Sequence, residues 1–135
     1  MPGGHPRVFD SWAIIALIEN EPSANVVRSL VRDAQLSHSP RWITAINLGE
    51  VWYRVARKHS QPEADMTLRE IYNLGFSVES IDWPLARHAA QFKAKHAVSY
   101  ADCFAAALAK QRNAELVTGD REFQRLEKEI RIRWL

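Results

Sequence analysis

The chain of 135 residues has little cysteine, no long apolar segment and almost no excess of charge of one sign. Its one cysteine, Cys103, can neither form an internal disulfide nor build a thiolate zinc cluster, as is typical of proteins in a reducing compartment. Apolar runs such as 12–18 are far shorter than the roughly 20 residues of a membrane helix, and residues 1–8 contain no apolar signal core. We therefore expect a soluble, cytoplasmic protein without a membrane partner.

Charge and histidine content exclude further simple assignments. The 18 Lys and Arg residues against 16 Asp and Glu residues leave a net charge of +2, so composition alone gives no sign of nucleic-acid binding. The five histidines do not follow a zinc-binding spacing. With 47% apolar and 25% charged residues, the chain is typical of one globular domain over residues 1–135, in which residues 1–6 form a flexible leader.

Helix and strand signals alternate along the chain. Short apolar runs and period-two patterns predict strands at 7–9, 76–81, 115–118 and 130–134, with at best a weak strand within 36–43 because of Pro40. Capping residues and apolar faces predict helices at 12–18, for about 12 residues after Ser23, at 44–59, from Pro62 to Gly75, at 84–95, at 99–113 and after Asp120. Because parallel strands need crossover connections, this order predicts an α/β protein whose mostly parallel sheet has helices on both faces.

Two aspartates lie at the ends of predicted strands. Asp10 follows the strand at 7–9, and Asp120 follows the strand at 115–118 and Gly119. Ligands of an open parallel sheet bind beyond the carboxyl ends of its strands, so pairing of these two strands would place both carboxylates at one rim. The alternative is a local role, because aspartate also forms turns and caps helices.

Asp102 opens a helix that is apolar on every face for two turns, which would shield its carboxylate from water. The alternative is that Asp102 only completes a capping box with Ser99, three residues earlier.

Glu50 lies one helical turn after Asn47 and one turn before Arg54. The alternative to a site role is a surface salt bridge with Arg54. That bridge would not account for Gly49, since glycine in a helix costs roughly 1 kcal/mol relative to alanine. A small residue at this position would give a ligand access to Glu50.

Convergence of these four carboxylates would raise their pKa values until a proton or a cation is held between them. Oxygen ligands favour Mg²⁺ or Mn²⁺. Such an ion lowers the pKa of a bound water and stabilises charge on a phosphoryl oxygen, so phosphodiester hydrolysis is the predicted reaction class.

Four segments in this order, with the ending Trp134-Leu135, resemble a known family. They are Phe9-Asp10-Ser11, Asn47-Leu48-Gly49-Glu50, Ser99-Tyr100-Ala101-Asp102 and Thr118-Gly119-Asp120-Arg121-Glu122-Phe123. Across nearly its whole length the chain resembles the PIN-domain ribonucleases and, among them, the VapC-type toxins of toxin–antitoxin pairs.

The resemblance implies a three-layer α/β/α sandwich with strand order 3-2-1-4-5. It also implies a metal-dependent endoribonuclease toxin that binds one or two Mg²⁺ or Mn²⁺ ions, cleaves RNA, forms a homodimer and is neutralised by a VapB-type antitoxin. The implied metal ligands and catalytic residues are Asp10, Glu50, Asp102 and Asp120. The implied supporting polar residues are Ser11, Asn47 and Thr118.

Several residues near these acids have open roles. Arg54, Arg57, Lys58 and Arg121 are candidate contacts for RNA phosphates or ordinary solvated cations. Glu122 is an auxiliary metal ligand or only favours a helix N-terminus. Trp12 departs from the family, which usually has a small residue there, and is favoured as a core anchor over a platform for base stacking.

Two other functions remain open from the sequence. The first is a catalytically inactive PIN-like module that binds RNA or protein through the same rim. The second is a phosphotransferase or phosphatase with Asp10 as covalent nucleophile, which is disfavoured because Trp12 stands where a second aspartate would be expected.

Overall fold

Five short strands form one all-parallel sheet. In the computed structural model, which describes residues 4–135, they are β1 (Arg7–Phe9), β2 (Arg41–Thr44), β3 (Ser77–Glu79), β4 (Glu115–Thr118) and β5 (Ile132–Trp134). The strands lie in the order β3-β2-β1-β4-β5, and each neighbouring pair is parallel. This confirms the α/β class and the implied strand order.

Helices connect the strands. They are α1 (Ser11–Ile18), α2 (Ala24–Ser37), α3 (Ala45–Lys58), α4 (Gln61–Asn73), α5 (Trp83–Lys95) and α6 (Tyr100–Gln111). The helix predicted after Asp120 is a 3₁₀ helix, Arg121–Leu126, a form common in short connectors. No helix in the described part of the chain is both long and apolar enough to span a bilayer.

The segment 36–43 differs most from its prediction. Its first residues end α2, and β2 begins at Arg41, between β1 and β3 in the sheet. Pro40 stands just before the strand, where its missing N–H breaks no ladder bond, and its carbonyl accepts from the backbone N–H of Arg7 at 3.1 Å. The strand is therefore short, as expected, but it lies inside the sheet and not at its edge.

The leader expected at residues 1–6 is described only from Gly4 onward, and residues 1–3 lie outside the described part of the chain. Gly4–Pro6 precede β1 without regular secondary structure.

Alternating side chains of the sheet supply two hydrophobic clusters. Val8 and Leu116 pack with α5 and α6, whereas Phe9 and Val117 pack with residues of α1 to α4. Residues Asp102–Ala109 of α6 are all buried, because small alanine side chains let other elements approach this helix closely.

The neighbouring strands β1 and β4 end at the same edge of the sheet. Phe9 pairs with Val117, and the backbone N–H of Asp10 donates to the carbonyl of Val117 at 3.4 Å. The two aspartates that follow these strands therefore leave the sheet at one rim, at the point where the strand order reverses.

Candidate functional site

The Asp10 carboxylate lies at the junction of β1 and α1 and is 1% exposed. Its Oδ1 accepts from the backbone N–H of Ala13 at 2.9 Å and caps α1, and its Oδ2 accepts from the Thr118 hydroxyl at 2.5 Å. Thr118 Oγ1 accepts in turn from the backbone N–H of Asp120 at 3.0 Å. The buried Thr118 side chain thus links the ends of two neighbouring strands.

Both rim aspartates have the local role that the sequence allows as an alternative, because each caps the helix that follows it. Asp10 caps α1, and Asp120 Oδ1 caps the 3₁₀ helix by accepting from the backbone N–H of Glu122 at 2.9 Å. Each of these caps uses one oxygen of its carboxylate. Capping therefore orients these side chains at the rim and does not exclude a second role.

Asp102 is the third residue of α6 and is 8% exposed. Ser99 caps this helix with its hydroxyl, which accepts from the backbone N–H of Asp102 at 3.3 Å. The backbone N–H of Ser99 donates to Oε1 of Glu122 at 2.7 Å and not to Asp102. The predicted alternative, in which Asp102 completes the capping box, is therefore wrong.

Glu50 is held by two polar side chains. Its Oε1 accepts from the Ser11 hydroxyl and from Nδ2 of Asn47, each at 3.0 Å. Arg54 pairs with Glu19 instead, at 3.6 Å, because the end of α1 lies beside α3. The surface bridge between Glu50 and Arg54 that the spacing allowed is therefore not formed.

Asn47 is fully buried and connects α3 to two neighbours. Its Oδ1 accepts from the Thr44 hydroxyl at 2.6 Å, and its Nδ2 donates to the Ala101 carbonyl at 3.4 Å as well as to Glu50. These bonds fix the first turns of α3 against the start of α6.

A cleft of about 310 Å³ opens at this rim. Its walls include Ser11, Trp12, Ile15, Glu21, Glu50, Arg54, Ser99, Asp102, Asp120 and Glu122. Within residues 4–135, one group of acids has its ligand atoms all within 4.8 Å of one another, namely Asp102, Asp120 and Glu122.

Of the four acids predicted to converge, Asp10 and Glu50 lie outside this close group. Both nevertheless interact electrostatically with the group. The charges of Asp102 and Asp120 raise the pKa of Asp10, and the charge of Glu50 raises the pKa of Asp102. Glu21, on the turn after α1, was missed because nothing in its spacing distinguishes it from other turn acids.

Two carboxyl groups of the site have strongly raised pKa values. Burial raises the pKa of Asp10 to about 8, against hydrogen bonds from Thr118 and Ala13 that lower it, and the charges of Asp102 and Asp120 add to the rise. Burial also raises the pKa of Asp102 to about 7, with further contributions from nearby acids. The acids of this site are therefore not all ionised near neutral pH in the absence of a cation, because at least one of them holds a proton.

The half-buried Trp12 packs against the chain between β4 and the 3₁₀ helix. A Cβ atom added to Gly119 would lie 2.3 Å from Cη2 of the Trp12 ring, so only glycine permits this contact. The ring packs against Gly119 and forms part of the cleft wall, and it belongs to neither of the two hydrophobic clusters. The predicted role as a core anchor is therefore not confirmed.

Replacing Gly119 by alanine will force this ring to move and will destabilise the protein by about 1 to 3 kcal/mol, as over-packing does. The measurement is denaturant unfolding of both proteins. Gly49→Ala is the matched control, because a Cβ there meets nothing within 4 Å and should leave stability unchanged or higher. Equal effects of the two substitutions would contradict the proposed contact.

Cations border the acidic cleft on the side of α3. A second cleft is lined in part by Tyr53, Arg54, Arg57 and Lys58. It shares Ser11, Ile15, Glu50 and Arg54 with the first. Arg54 and Lys58 pair with Glu19, at 3.6 and 3.7 Å, and Arg57 lies over the Tyr53 ring. Arg121 lies over the ring of Trp134.

Comparison with known proteins identifies the architecture. A model of the PIN domain family matches residues 7–129. One similar solved structure is DNA-bound VapBC from Salmonella typhimurium, with 24% identity and a TM-score of 0.78 over 96% of this chain and 98% of that chain. Another is VapBC2 from Rickettsia felis bound to a promoter DNA fragment, with 17% identity and a TM-score of 0.74 over 96% of this chain and 98% of that chain. A third is VapC20 from Mycobacterium tuberculosis, a sarcin-ricin loop cleaving toxin, with 16% identity and a TM-score of 0.72 over 92% of this chain and 95% of that chain. No curated protein matches the chain.

Proposed function

The chain belongs to the PIN-domain family, and from this premise we propose that it is a metal-dependent endoribonuclease and a toxin of the VapC type. The observation that carries the proposal is the group of Asp102, Asp120 and Glu122, with ligand atoms within 4.8 Å of one another at the rim of the sheet. Asp10 and Glu50 lie outside this group, but their charges interact with those of its members.

The donor set suits a hard divalent cation. All the candidate ligands are carboxylate oxygens, which favour Mg²⁺ or Mn²⁺. The raised pKa values of Asp10 and Asp102 support the proposal, because a bound cation would offset the clustering of negative charge that contributes to them. We propose that Asp10, Glu50, Asp102 and Asp120 hold one or two such ions. The bound ion would supply a water of lowered pKa and would stabilise charge on a phosphoryl oxygen.

The chain's other residues position these carboxylates. Thr118 binds Asp10 through its hydroxyl hydrogen and the backbone of Asp120 through its oxygen, so it sets the spacing of two acids. Ser11 and Asn47 both donate to Oε1 of Glu50, which directs this side chain along the cleft wall. Such preorganised contacts spare the site a rearrangement when the substrate binds.

RNA is the substrate class that we propose. Arg54, Arg57 and Lys58 lie along α3 on one side of the acidic cleft, where they would contact phosphates of a bound RNA strand. Arg121 follows Asp120 directly and is a further candidate contact. The description of VapC20 as a sarcin-ricin loop cleaving toxin supports this substrate class.

A partner and an assembly belong to the same proposal. We propose that a VapB-type antitoxin neutralises the chain and that the chain forms a homodimer. The support for the partner is that VapBC complexes are among the structures with this fold.

Use of Asp10 as a covalent nucleophile is disfavoured by its surroundings. Both of its oxygens accept hydrogen bonds, and the side chain is 1% exposed. A nucleophile must reach the phosphorus atom of its substrate, whereas these contacts hold Asp10 inside the protein.

The proposed activity is tested by incubating the purified protein with a panel of tRNA, rRNA and mRNA in Mn²⁺, Mg²⁺ or chelator, with Asp10→Asn alongside. We expect internal cleavage by the wild type only in the presence of a divalent ion. Cleavage by Asp10→Asn at the wild-type rate would refute the assignment. RNA binding without metal-stimulated cleavage would indicate the inactive module instead.

A further inference from the structure

Two separate elements cap the N-terminus of α6. The Ser99 hydroxyl accepts from the backbone N–H of Asp102, and the backbone N–H of Ser99 donates to Glu122, which belongs to the 3₁₀ helix. In an ordinary capping box, the backbone N–H of the cap residue donates to the side chain three positions later, which here is that of Asp102. Glu122 has taken that position.

We propose that Glu122 is a positioning residue that keeps the Asp102 carboxylate out of the capping box and in the acidic cleft. The catalytic consequence rests on the proposed function, whereas the capping itself does not. Glu122 reaches the same backbone donor that Asp102 would otherwise approach by its spacing, so the Asp102 carboxylate is available to the cleft.

A continuous series of hydrogen bonds supports this role. The backbone N–H of Glu122 donates to the carboxylate of Asp120, and the carboxylate of Glu122 accepts from the backbone N–H of Ser99. The Ser99 hydroxyl in turn accepts from the backbone N–H of Asp102. The two ends of the series are acids of the cleft. Glu122 therefore sets the position of Asp102 relative to Asp120, although it follows Asp102 by 20 residues.

Two basic side chains hold the segment before α6 in place. Arg125, on the same 3₁₀ helix as Glu122, donates to the Ala97 carbonyl at 2.7 Å, and Lys93 donates to the Val98 carbonyl at 3.0 Å. These contacts keep the backbone N–H of Ser99 directed at the 3₁₀ helix. The carboxylate of Glu122 also lies at the N-terminus of α6, where the helix dipole favours negative charge.

Two substitutions separate positioning from metal ligation. Glu122→Gln retains an oxygen that accepts from Ser99 and loses the negative charge, whereas Glu122→Ala loses both. If Glu122 acts by positioning, Mn²⁺ affinity measured by calorimetry falls about tenfold or more in Glu122→Ala, as is typical when a supporting contact is lost, and by less than about threefold in Glu122→Gln. Equal losses in both variants would show that the charge matters and would overturn the proposal.

A second measurement needs neither metal nor activity. In a crystal structure of metal-free Glu122→Ala, we expect the Asp102 carboxylate within hydrogen-bond distance of the Ser99 backbone nitrogen. An Asp102 side chain that stays in the cleft would contradict the inference. Glu127→Ala, which removes an exposed charge just after the same 3₁₀ helix, is the control and should change neither result. Absence of RNA cleavage by the wild type would refute the proposed function and leave these two results interpretable.

Discussion

Under the proposed function, replacing Asp102 by asparagine is expected to slow RNA cleavage by about 1,000-fold or more, because several kcal/mol of transition-state stabilisation would depend on a correctly held cation. Asparagine has nearly the same volume as aspartate and lacks the charge that the ion needs. The side chain is 8% exposed and its pKa is about 7, so the neutral variant also avoids the cost of burying a charge. The fold should therefore survive unchanged.

This expectation is measured as the rate of cleavage with saturating Mn²⁺, together with circular dichroism and thermal unfolding in chelator. Asp33→Asn, which removes an exposed carboxylate on α2, is the matched control and should cleave at the wild-type rate. An Asp102→Asn protein that cleaves as fast as the wild type would remove the main support for the proposed site. Loss of folding in this variant would contradict the expected stability.

The second large effect is on stability as a function of pH. Burial raises the pKa of Asp10 from 3.8 to about 8 and that of Asp102 from 3.8 to about 7 in the folded protein. Between pH 4 and pH 8 the folded state therefore binds more protons at these groups than the unfolded state does. Their contribution to stability is complete below pH 4 and is lost as pH rises through the folded pKa values.

Asp10→Asn isolates this effect, because asparagine does not titrate. We expect the unfolding temperature of metal-free Asp10→Asn, relative to that of the wild type, to increase steadily between pH 5 and pH 8 and to level off above that range. A difference that does not change with pH would show that Asp10 is ionised in the folded protein throughout this range.

The same pKa values predict proton release when a metal binds. At pH 7 Asp10 is mostly protonated and Asp102 is about half protonated, so Mn²⁺ binding should displace about one to two protons. Calorimetry in buffers of different ionisation enthalpy measures this number. Binding without proton release would contradict the raised pKa values.

Local sequence predicted most of the fold because the determining signals are close together in the chain. Capping residues and apolar faces predict helices close to those observed, and the side chains of Ser99, Asp82 and Thr44 each cap one of these helices. Gly75 ends α4 with a φ of +87°, a conformation that favours glycine. The prediction of at best a weak strand within 36–43 places Pro40 inside the strand, whereas Pro40 precedes β2.

The contacts that organise the candidate site could not be predicted in this way. Thr118 and Asp10 are 108 residues apart, Ser11 and Glu50 are 39 apart, and Glu122 and Ser99 are 23 apart. For Arg54 the helical spacing allows Glu50 as a partner, yet packing of α1 beside α3 brings Glu19 to it instead. Which polar group meets which depends on how helices and strands pack, and helix or strand propensity contains no information about it.

The amino-acid sequence by itself determined the class of the fold, the order of its helices and strands, and the four acids at the starts and faces of those elements. These properties follow from short-range apolar periodicity, capping and turn chemistry. Only the tertiary structure decided that Asp102, Asp120 and Glu122 form the close group while Asp10 lies buried outside it, and that Glu122 rather than Asp102 accepts from the backbone N–H of Ser99. The physical reason is that a hydrogen bond requires positions accurate to a few tenths of an ångström, which are set by the packing of the whole core.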